Sequence, residues 1–308
     1  MIENPMDVLK DFPVRKNKKQ KQAFRDAVQS YAEGLGYPVT IEKGSFGAKN
    51  VVIGNPETAQ YLVTAHYDTP AAMPFPNLIT PTNPVTYILY QFFVIFAFVV
   101  VSIPVGIAVG LLTKDESIAV ITALAVYWAL LFLMLLGPAN RSNANDNTSG
   151  VVTVLETAKR IPEEFRSQVC FILFDLEEAG LVGSASYAKT HKTEIANQVI
   201  LNCDCVGDGD EIMLFPTPKL KKDSGKMELL RGMTREQGKK MVKLHQKGFS
   251  VYPSDQKNFP YGVGIAAFRR NILVGLYCDK IHTGRDTILD EENVSILCDS
   301  ILDLIRAA

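Results

Sequence analysis

Two long apolar segments limit what this chain can fold into. Residues 85–112 run for 28 positions without a charge and residues 118–136 for 19 more, separated only by the polar link TKDES. A helix needs about 20 apolar residues to cross a ~30 Å hydrocarbon core, so both segments are long enough. Their 18 and 11 Leu, Ile, Val or Phe residues favour insertion by at most about −5 to −11 and about −3 to −7 kcal/mol. The pattern predicts a transmembrane hairpin over residues 84–138.

The alternative is a hairpin buried inside a soluble protein or in a dimer interface. Such a hairpin would have to hide every face of two helices, which requires much surrounding protein. We therefore favour the bilayer as the partner of residues 84–138.

The charges around the hairpin predict its orientation. Two spans return the chain to the side that it left. The first residues, MIENPMDVLKDF, have no apolar core of a secretory signal, and the basic segment VRKNKKQKQAFR and Arg141 flank the spans. Because Lys and Arg favour the cytoplasmic side, we expect a multi-pass protein of the cell membrane, with two spans, TKDES outside and the rest of the chain in the cytoplasm.

Composition restricts the other partners. The 308 residues carry a net charge of −1, which gives no indication of a nucleic-acid partner. VRKNKKQKQAFR is either a solvated helix face or a segment held against anionic lipid headgroups. The five cysteines form no CxxC pair, so we expect reduced core residues rather than disulfides. The sequence leaves open whether copies of the chain form a homo-oligomer.

Outside the hairpin the chain alternates between strand and helix patterns. Strands are predicted at 50–53, 61–65, 168–174, 199–203, 211–215, 264–268 and 272–277, and helices at 18–36, 150–160, 179–190, 226–247 and 291–306. This alternation predicts a three-layer α/β/α sandwich with a mostly parallel, mixed central sheet. The sandwich domain is expected to be discontinuous, comprising residues 1–83 and 139–308.

Polar residues follow several predicted strands, where ligands gather in such sheets. His66 and Asp68 follow one strand at i and i+2, a spacing that suits a metal-bound imidazole held by a carboxylate. Asp146 lies in the turn-rich NANDNTSG, where an ordinary helix cap is the alternative. Glu177 and Glu178 follow another strand. Because adjacent side chains diverge, one carboxylate can bind a cation while the other contacts the bound water; the alternative is a charged helix start.

Two further residues complete the candidate cluster. Asp204 ends the strand VILNC, and His282 lies in KIHTGRDT; a turn residue and a structural histidine are the alternatives. The other histidines, His191 and His245, are expected on solvated helical faces. Five carboxylates converging on one cleft would repel each other unless cations compensated them. Mixed His and carboxylate ligands suit zinc, and paired metals are a recurrent hydrolytic device.

Six motifs occur in a characteristic order: AHYDT, NANDNTSGVV, LEEAGLVGS, LNCDCVG, SDQKNF and IHTGRDT. In this the chain resembles the co-catalytic di-zinc aminopeptidases, whose relatives include glutamate carboxypeptidases and glutaminyl cyclases. The resemblance spans roughly residues 50–83 and 139–306. It implies the zinc-exopeptidase fold and peptide substrates.

The resemblance also implies a role for each residue of the cluster. Two zinc ions are expected, one held by His66, Asp146 and Asp204 and the other by Asp146, Glu178 and His282, with Asp146 bridging them. Asp68 is expected to orient His66, and Glu177 to act as general base. The function implied is that of a membrane-anchored zinc exopeptidase, an aminopeptidase, with its catalytic domain in the cytoplasm.

Some features depart from that family. Ile281 stands where several relatives carry a tyrosine, Gln256 stands where many have histidine, and the hairpin replaces a short loop between Asp68 and Asp146. A glutaminyl-cyclase-like acyltransferase with one zinc, and an inactive receptor or scaffold, are the alternatives. Because the hairpin leaves after one site strand and returns before Asp146, we also expect a cleft near the bilayer that favours hydrophobic or membrane-released peptides.

Overall fold

A mixed ten-stranded sheet forms the centre of the computed structural model, which describes residues 2–307. The strands are β1 Val39–Lys43, β2 Lys49–Ile53, β3 Tyr61–His66, β4 Val169–Phe174, β5 Val199–Cys203, β6 Glu211–Pro216, β7 Arg235–Gln237, β8 Lys240–Leu244, β9 Gly262–Asn271 and β10 Gly275–Tyr277. The helices are α1 Asp7–Asp11, α2 Lys18–Gly34, α3 Pro84–Thr113, α4 Glu116–Leu136, α5 Gly150–Arg160, α6 Val182–Thr190, α7 Ser224–Gly232 and α8 Glu291–Arg306.

The strand order is β1-β2-β4-β3-β5-β9-β6-β8-β7, and β10 pairs with β9. The four central strands, β4, β3, β5 and β9, run parallel, while both sides of the sheet include antiparallel pairs. Parallel strands must be covered on both faces, which explains their nearly continuous apolar sequences. The predicted mixed α/β fold is confirmed.

Alternate residues of the central strands enter different cores, as the two-residue period of a strand requires. Val63 and Ala65 pack with α2, α5 and α8 on one face. Leu62 and Ile200 pack on the other face with Tyr187 of α6 and Phe259. Helices on both faces make the three layers of the sandwich.

The helices α3 and α4 form an antiparallel hairpin with small residues between them. Gly106 lies so close to Ala119 and Ala123 that an added Cβ would approach the Ala119 carbonyl oxygen to 2.6 Å. The buried residues of α3 fall four positions apart at Val94, Phe98, Ser102 and Gly106. α4, described along its whole length, buries none of its residues. Most of the hairpin surface is therefore apolar and exposed.

One predicted helix is wrong. Residues 226–247 are not a single helix, because α7 ends at Gly232 and the chain continues as the hairpin β7–β8. Gly238 takes a left-handed φ of 61°, and Val242 is buried where β8 pairs with β6. The lysines and methionines of this stretch favour a helix locally, but a place at the edge of the sheet decides the outcome.

Of the remaining side-chain predictions, the one for the cysteines is confirmed and those for His191 and His245 are wrong. All five cysteines are buried and free, as predicted. His191 is not solvated, since its ring stacks on Tyr187 at 4.2 Å and its Nε2 lies 2.6 Å from Glu42 Oε1. His245 follows a strand rather than lying on a helix, and its ring is half-buried against Phe215.

Candidate metal centre

Three adjacent parallel strands deliver most of the cluster to one edge of the sheet. His66 is the last residue of β3 and pairs in register with Phe174, the last residue of β4. Glu177 and Glu178 follow β4, and Asp204 follows β5. Because the carboxyl ends of parallel strands meet at one edge, these side chains converge there.

Asp146 reaches the same edge from the irregular segment Ala144–Ser149 that precedes α5. The Asp286 carboxylate accepts the N–H groups of Asn145 and Asp146 at 2.8 and 3.0 Å. The Asn147 side chain donates to the Cys203 carbonyl at 3.0 Å and accepts from the Gly150 N–H at 3.0 Å. The Asp146–Asn147 peptide bond is cis. Asp146 is thus held by contacts on both sides of its position in the chain.

The two carboxylate oxygens of Asp146 face different histidines. His66 Nε2 lies 3.3 Å from Asp146 Oδ1 and 3.7 Å from Asp204 Oδ1. His282 Nε2 lies 3.2 Å from Asp146 Oδ2 and 3.7 Å from Glu178 Oε2. In each of these two groups, and in a third that comprises His66, Glu177 and Glu178, the candidate ligand atoms all lie within 4.8 Å of one another. The structure therefore brings together all five residues expected to bind metal.

Asp68 fixes the residues around it. Its two oxygens accept the N–H groups of Glu177 and Glu178 at 3.0 and 3.3 Å. His66 Nδ1 lies 3.5 Å from Asp68 Oδ1, so the carboxylate faces the ring nitrogen that points away from Asp146. Burial raises the pKa of Asp68, but the neighbouring His66 outweighs it and the pKa lies below its usual value. Asp68 is thus placed to orient both His66 and the two glutamates.

The donor set fits divalent cations. Burial, followed by the negative charge of Asp146, raises the pKa of Glu178 well above its usual value. Burial also raises the pKa of Glu177, with the charge of Glu178 adding to the effect although His66 opposes it. Glu178 Oε1 is buried and has no hydrogen-bond partner among the described residues. Zinc binds imidazole and carboxylate groups of this kind. A bound cation would also relieve the repulsion between the crowded carboxylates.

Several residues in and beside the cluster have a left-handed backbone. His282, Leu176 and Cys205 adopt φ values of 62°, 57° and 58°. Leu176 precedes Glu177, and Cys205 follows Asp204. Such conformations are uncommon for residues other than glycine and cluster at functional sites, where the surrounding structure enforces them.

Arg15, which lies beside the cluster, was not predicted from the sequence. The fully buried Arg15 donates from Nε to the Tyr67 carbonyl at 2.6 Å and from Nη2 to Thr148 Oγ1 at 3.2 Å. Burial lowers its pKa to about 10, although Asp68 and Asp146 oppose the effect. No local pattern distinguishes Arg15 from the other basic residues near it. Its place beside the cluster depends on the tertiary fold.

Two other aspartates carry a signal in the sequence. Burial raises the pKa of Asp286 to about 7, and the charge of Asp146 adds to the effect. Burial also raises the pKa of Asp255 to about 7. Both lie in the ordered motifs, Asp286 in IHTGRDT and Asp255 in SDQKNF. The motifs could have identified them, but only the contacts show that Asp286 holds the Asp146 backbone.

The cluster opens into a cleft of about 280 Å³. Ile281 lines this cleft, so the residue before His282 presents an apolar side chain to it. Gln256 is buried elsewhere and donates to the Tyr252 carbonyl at 2.7 Å. Tyr252 in turn donates to the Asp204 carbonyl at 2.9 Å. Gln256 thus supports the cleft indirectly.

Comparisons with known proteins also relate this chain to peptidases. The model of peptidase family M28 matches residues 131–297, more than half of the chain. Among curated protein sequences there is no match.

Solved structures share the fold at low sequence identity. A Porphyromonas gingivalis glutaminyl cyclase has a TM-score of 0.59 at 15% identity, over 98% of this chain and 96% of that one. The Legionella pneumophila LapA aminopeptidase has a TM-score of 0.59 at 15% identity, over 99% and 71%. A Zn-dependent exopeptidase from Parabacteroides distasonis has a TM-score of 0.58 at 16% identity, over 96% and 93%.

Proposed function

This chain belongs to peptidase family M28, and from that membership we propose that it is a membrane-anchored zinc aminopeptidase. The resemblance stated from the sequence motifs is thereby confirmed at the level of the family, which has the fold of zinc peptidases and glutaminyl cyclases. The observation that carries the proposal is the position of Asp146, with one oxygen 3.3 Å from His66 and the other 3.2 Å from His282.

We assign two zinc sites that share Asp146. One comprises His66, Asp146 and Asp204, and the other comprises Asp146, Glu178 and His282. Two bound zinc ions would polarise the scissile carbonyl and lower the pKa of a water molecule between them. Asp68 lies behind His66 and keeps its ring oriented toward Asp146.

Glu177 is the proposed general base. Its backbone is held by Asp68, its side chain lines the cleft, and it is not needed as a ligand in either assigned group. Its carboxylate would take a proton from the attacking water and deliver it to the leaving amine nitrogen. Such general acid and base catalysis contributes about 10² to 10⁴ in rate.

The cleft supports removal of single N-terminal residues. At about 280 Å³ it is small, and Glu177, the lining carboxylate outside both assigned zinc groups, would pair with the ammonium group of a peptide N-terminus. Substrates are therefore proposed to be peptides with a free N-terminus.

The hairpin is proposed to anchor the domain. α3 has 30 residues and α4 has 21, and both are long and apolar enough to cross a membrane. Their exposed apolar surface supports lipid rather than a protein core as the partner, because such surface is costly in water. We retain the proposal of two spans within residues 84–138, with the domain formed by residues 1–83 and 139–308 on the cytoplasmic side.

Glutaminyl cyclisation is the second candidate, because the P. gingivalis glutaminyl cyclase matches over 96% of its own length. Both candidates are tested with metal-free protein in detergent, to which zinc, cobalt or manganese is restored. We expect release of the N-terminal residue from an aminoacyl reporter. Loss of ammonia from an N-terminal glutamine peptide without that release would favour the cyclase, and no reaction with any of the metals would favour an inactive scaffold.

A further inference from the structure

The membrane hairpin contributes to the wall of the cleft. Leu135, the second-last residue of α4, lines the cleft that contains His66 and Asp146. Ile79 and Ile281 line it as well. Leu135 is 48% exposed, so it is not locked inside the fold. A residue of the proposed membrane anchor therefore faces the same space as the candidate ligands.

The root of the hairpin is bonded to the loop that carries His282. The Met73 N–H donates to the His282 carbonyl at 2.7 Å, and Ile79 and Cys278 exchange two backbone hydrogen bonds of 2.9 Å. On the returning side, the Ala72 N–H donates to the Pro138 carbonyl at 2.8 Å. The hairpin is thus fixed at the rim of the cleft rather than attached by a free linker.

The length of α4 sets the height of the cleft above the membrane. Its 21 residues extend about 32 Å at about 1.5 Å per residue. A hydrocarbon core of ~30 Å requires nearly all of that length. Leu135, one residue from the end, consequently lies at the boundary between hydrocarbon and headgroups. The cleft that it lines must then open close to the bilayer surface.

A second apolar surface lies beside the first residues of α3. The turn between β9 and β10 exposes Ile272 by 99% and Leu273 by 85%. This turn adjoins the start of α3, since the Asn83 side chain donates to the Val274 carbonyl at 3.4 Å. Apolar residues so exposed, beside the first turn of a spanning helix, fit the lipid–water interface. The domain thus presents a second apolar surface on the side of the hairpin root.

We propose that the cleft opens onto the bilayer surface, where it takes peptides held at the membrane, and that Leu135 selects an apolar residue at their N-terminus. The inference rests on the proposed aminopeptidase activity. A peptide on the surface can reach such a cleft without leaving the bilayer, and its confinement there raises its effective concentration. The hairpin would then determine the substrate class as well as anchor the enzyme.

The height of the cleft is tested with tethered peptides. The full-length protein is reconstituted into phosphatidylcholine vesicles with peptides that begin with leucine and end in a membrane-inserted acyl chain. One tether has about 6 residues and so reaches at most roughly 20 Å, and the other has about 30 residues. We expect both peptides to lose leucine at rates within a factor of about three, since each can reach a cleft at the surface. Cleavage of the long tether with the short one spared would overturn the proposal.

The role of Leu135 is tested with soluble peptides that begin with leucine or alanine. Leu135→Ala should lower kcat/KM for the leucine peptide by roughly tenfold, mainly through KM, and affect the alanine peptide less. Leu133→Ala is the matched control, because Leu133 lies on the same helix, is 55% exposed and does not line the cleft. Leu135→Met should retain the parent's preference.

The outcomes are separable. If Leu135→Ala and Leu133→Ala behave alike, Leu135 does not select the substrate. If the parent hydrolyses none of the peptides, the proposed peptidase activity itself is refuted, and this inference with it. Equal thermal unfolding of the two alanine variants in detergent guards against a misfolded protein, and the methionine variant provides a second test if Leu135→Ala is unstable.

Discussion

Folded proteins usually expose charged side chains and bury large apolar ones. The candidate metal centre departs from the first tendency and the hairpin from the second. The centre gathers titratable side chains in its interior, with His66, Asp68, Asp146 and Asp204 all buried. The hairpin exposes large apolar side chains along both helices. A buried charge needs a compensating partner, and an exposed apolar surface of this size needs a cover. For these partners we propose cations in one region and lipid in the other.

The two regions also differ in how the fold holds them. Asp146 is fixed by its own N–H, which donates to Asp286, and through its neighbour Asn147, whose side chain bonds to the end of β5 and the start of α5. The hairpin meets the domain at its root and where Phe75 packs against Phe93 and Phe98 of α3, and its two helices pack on each other through small residues. A conservative change in the centre should therefore have a large effect, whereas a change at the hairpin tip should have almost none.

Asp146→Asn should have the largest effect. An amide cannot supply two anionic oxygens, so both assigned sites would lose a ligand. We expect zinc binding to fall steeply and aminopeptidase activity to drop to background, measured by metal analysis and a leucine reporter. The exposed Asp26→Asn is the control. Normal zinc content and turnover in the Asp146→Asn variant would refute the bridging role assigned to Asp146.

Glu177→Gln should have the next largest effect. The variant keeps the shape of the side chain but cannot accept a proton, so kcat should fall by about 10² to 10⁴. Zinc content should stay at the parent level, because neither assigned group needs Glu177. Glu164→Gln, at an exposed position, provides the comparison. Unimpaired turnover in Glu177→Gln would show that another group is the base.

Asp286→Ala should have a smaller effect. The change leaves the N–H groups of Asn145 and Asp146 without their acceptor and loosens the backbone of the bridge. Changes to groups that orient metal ligands typically cost 10- to 100-fold in metal affinity or activity, roughly the range expected here. The measurement is zinc affinity by competition with a chelator, with Asp279→Ala in the same loop as control. Unchanged affinity would mean that Asp286 has no part in the centre.

Ser117→Cys should leave activity unchanged and report the topology. Ser117 lies in the first turn of α4, at the tip of the hairpin, and is exposed, whereas all five native cysteines are buried. A membrane-impermeant maleimide added to intact cells should therefore label the variant and spare the parent. Labelling only after lysis would reverse the proposed orientation while leaving the metal centre untouched.

Much of the fold could be predicted because local patterns and tertiary packing agree in it. The central strands read as short apolar runs between helices, and β3, β4 and β5 fall within a residue of their predicted positions. The β7–β8 hairpin could not be predicted, because its residues favour a helix locally and only pairing with β6 makes them strands. The short β1 was also missed; it is stabilised by its antiparallel partner β2.

In the candidate site, too, the residues at strand ends could be predicted, whereas those placed by tertiary contacts could not. His66, Glu178 and Asp204 could be placed together from the sequence because each follows a parallel strand, and parallel strands share an edge. Arg15 could not, since its guanidinium reaches Tyr67 and Thr148 across long stretches of sequence. Nor could the contact of Leu135 with the cleft, which depends on how the hairpin sits on the domain.

Anomalous X-ray scattering at the zinc edge, from crystals of the detergent-solubilised protein, tests the central claim most directly. We expect two peaks beside the Asp146 carboxylate, about 3.5 to 4 Å apart. A single peak would contradict the two-metal assignment and favour the cyclase reading. No peak from zinc-loaded protein would contradict the metal centre itself.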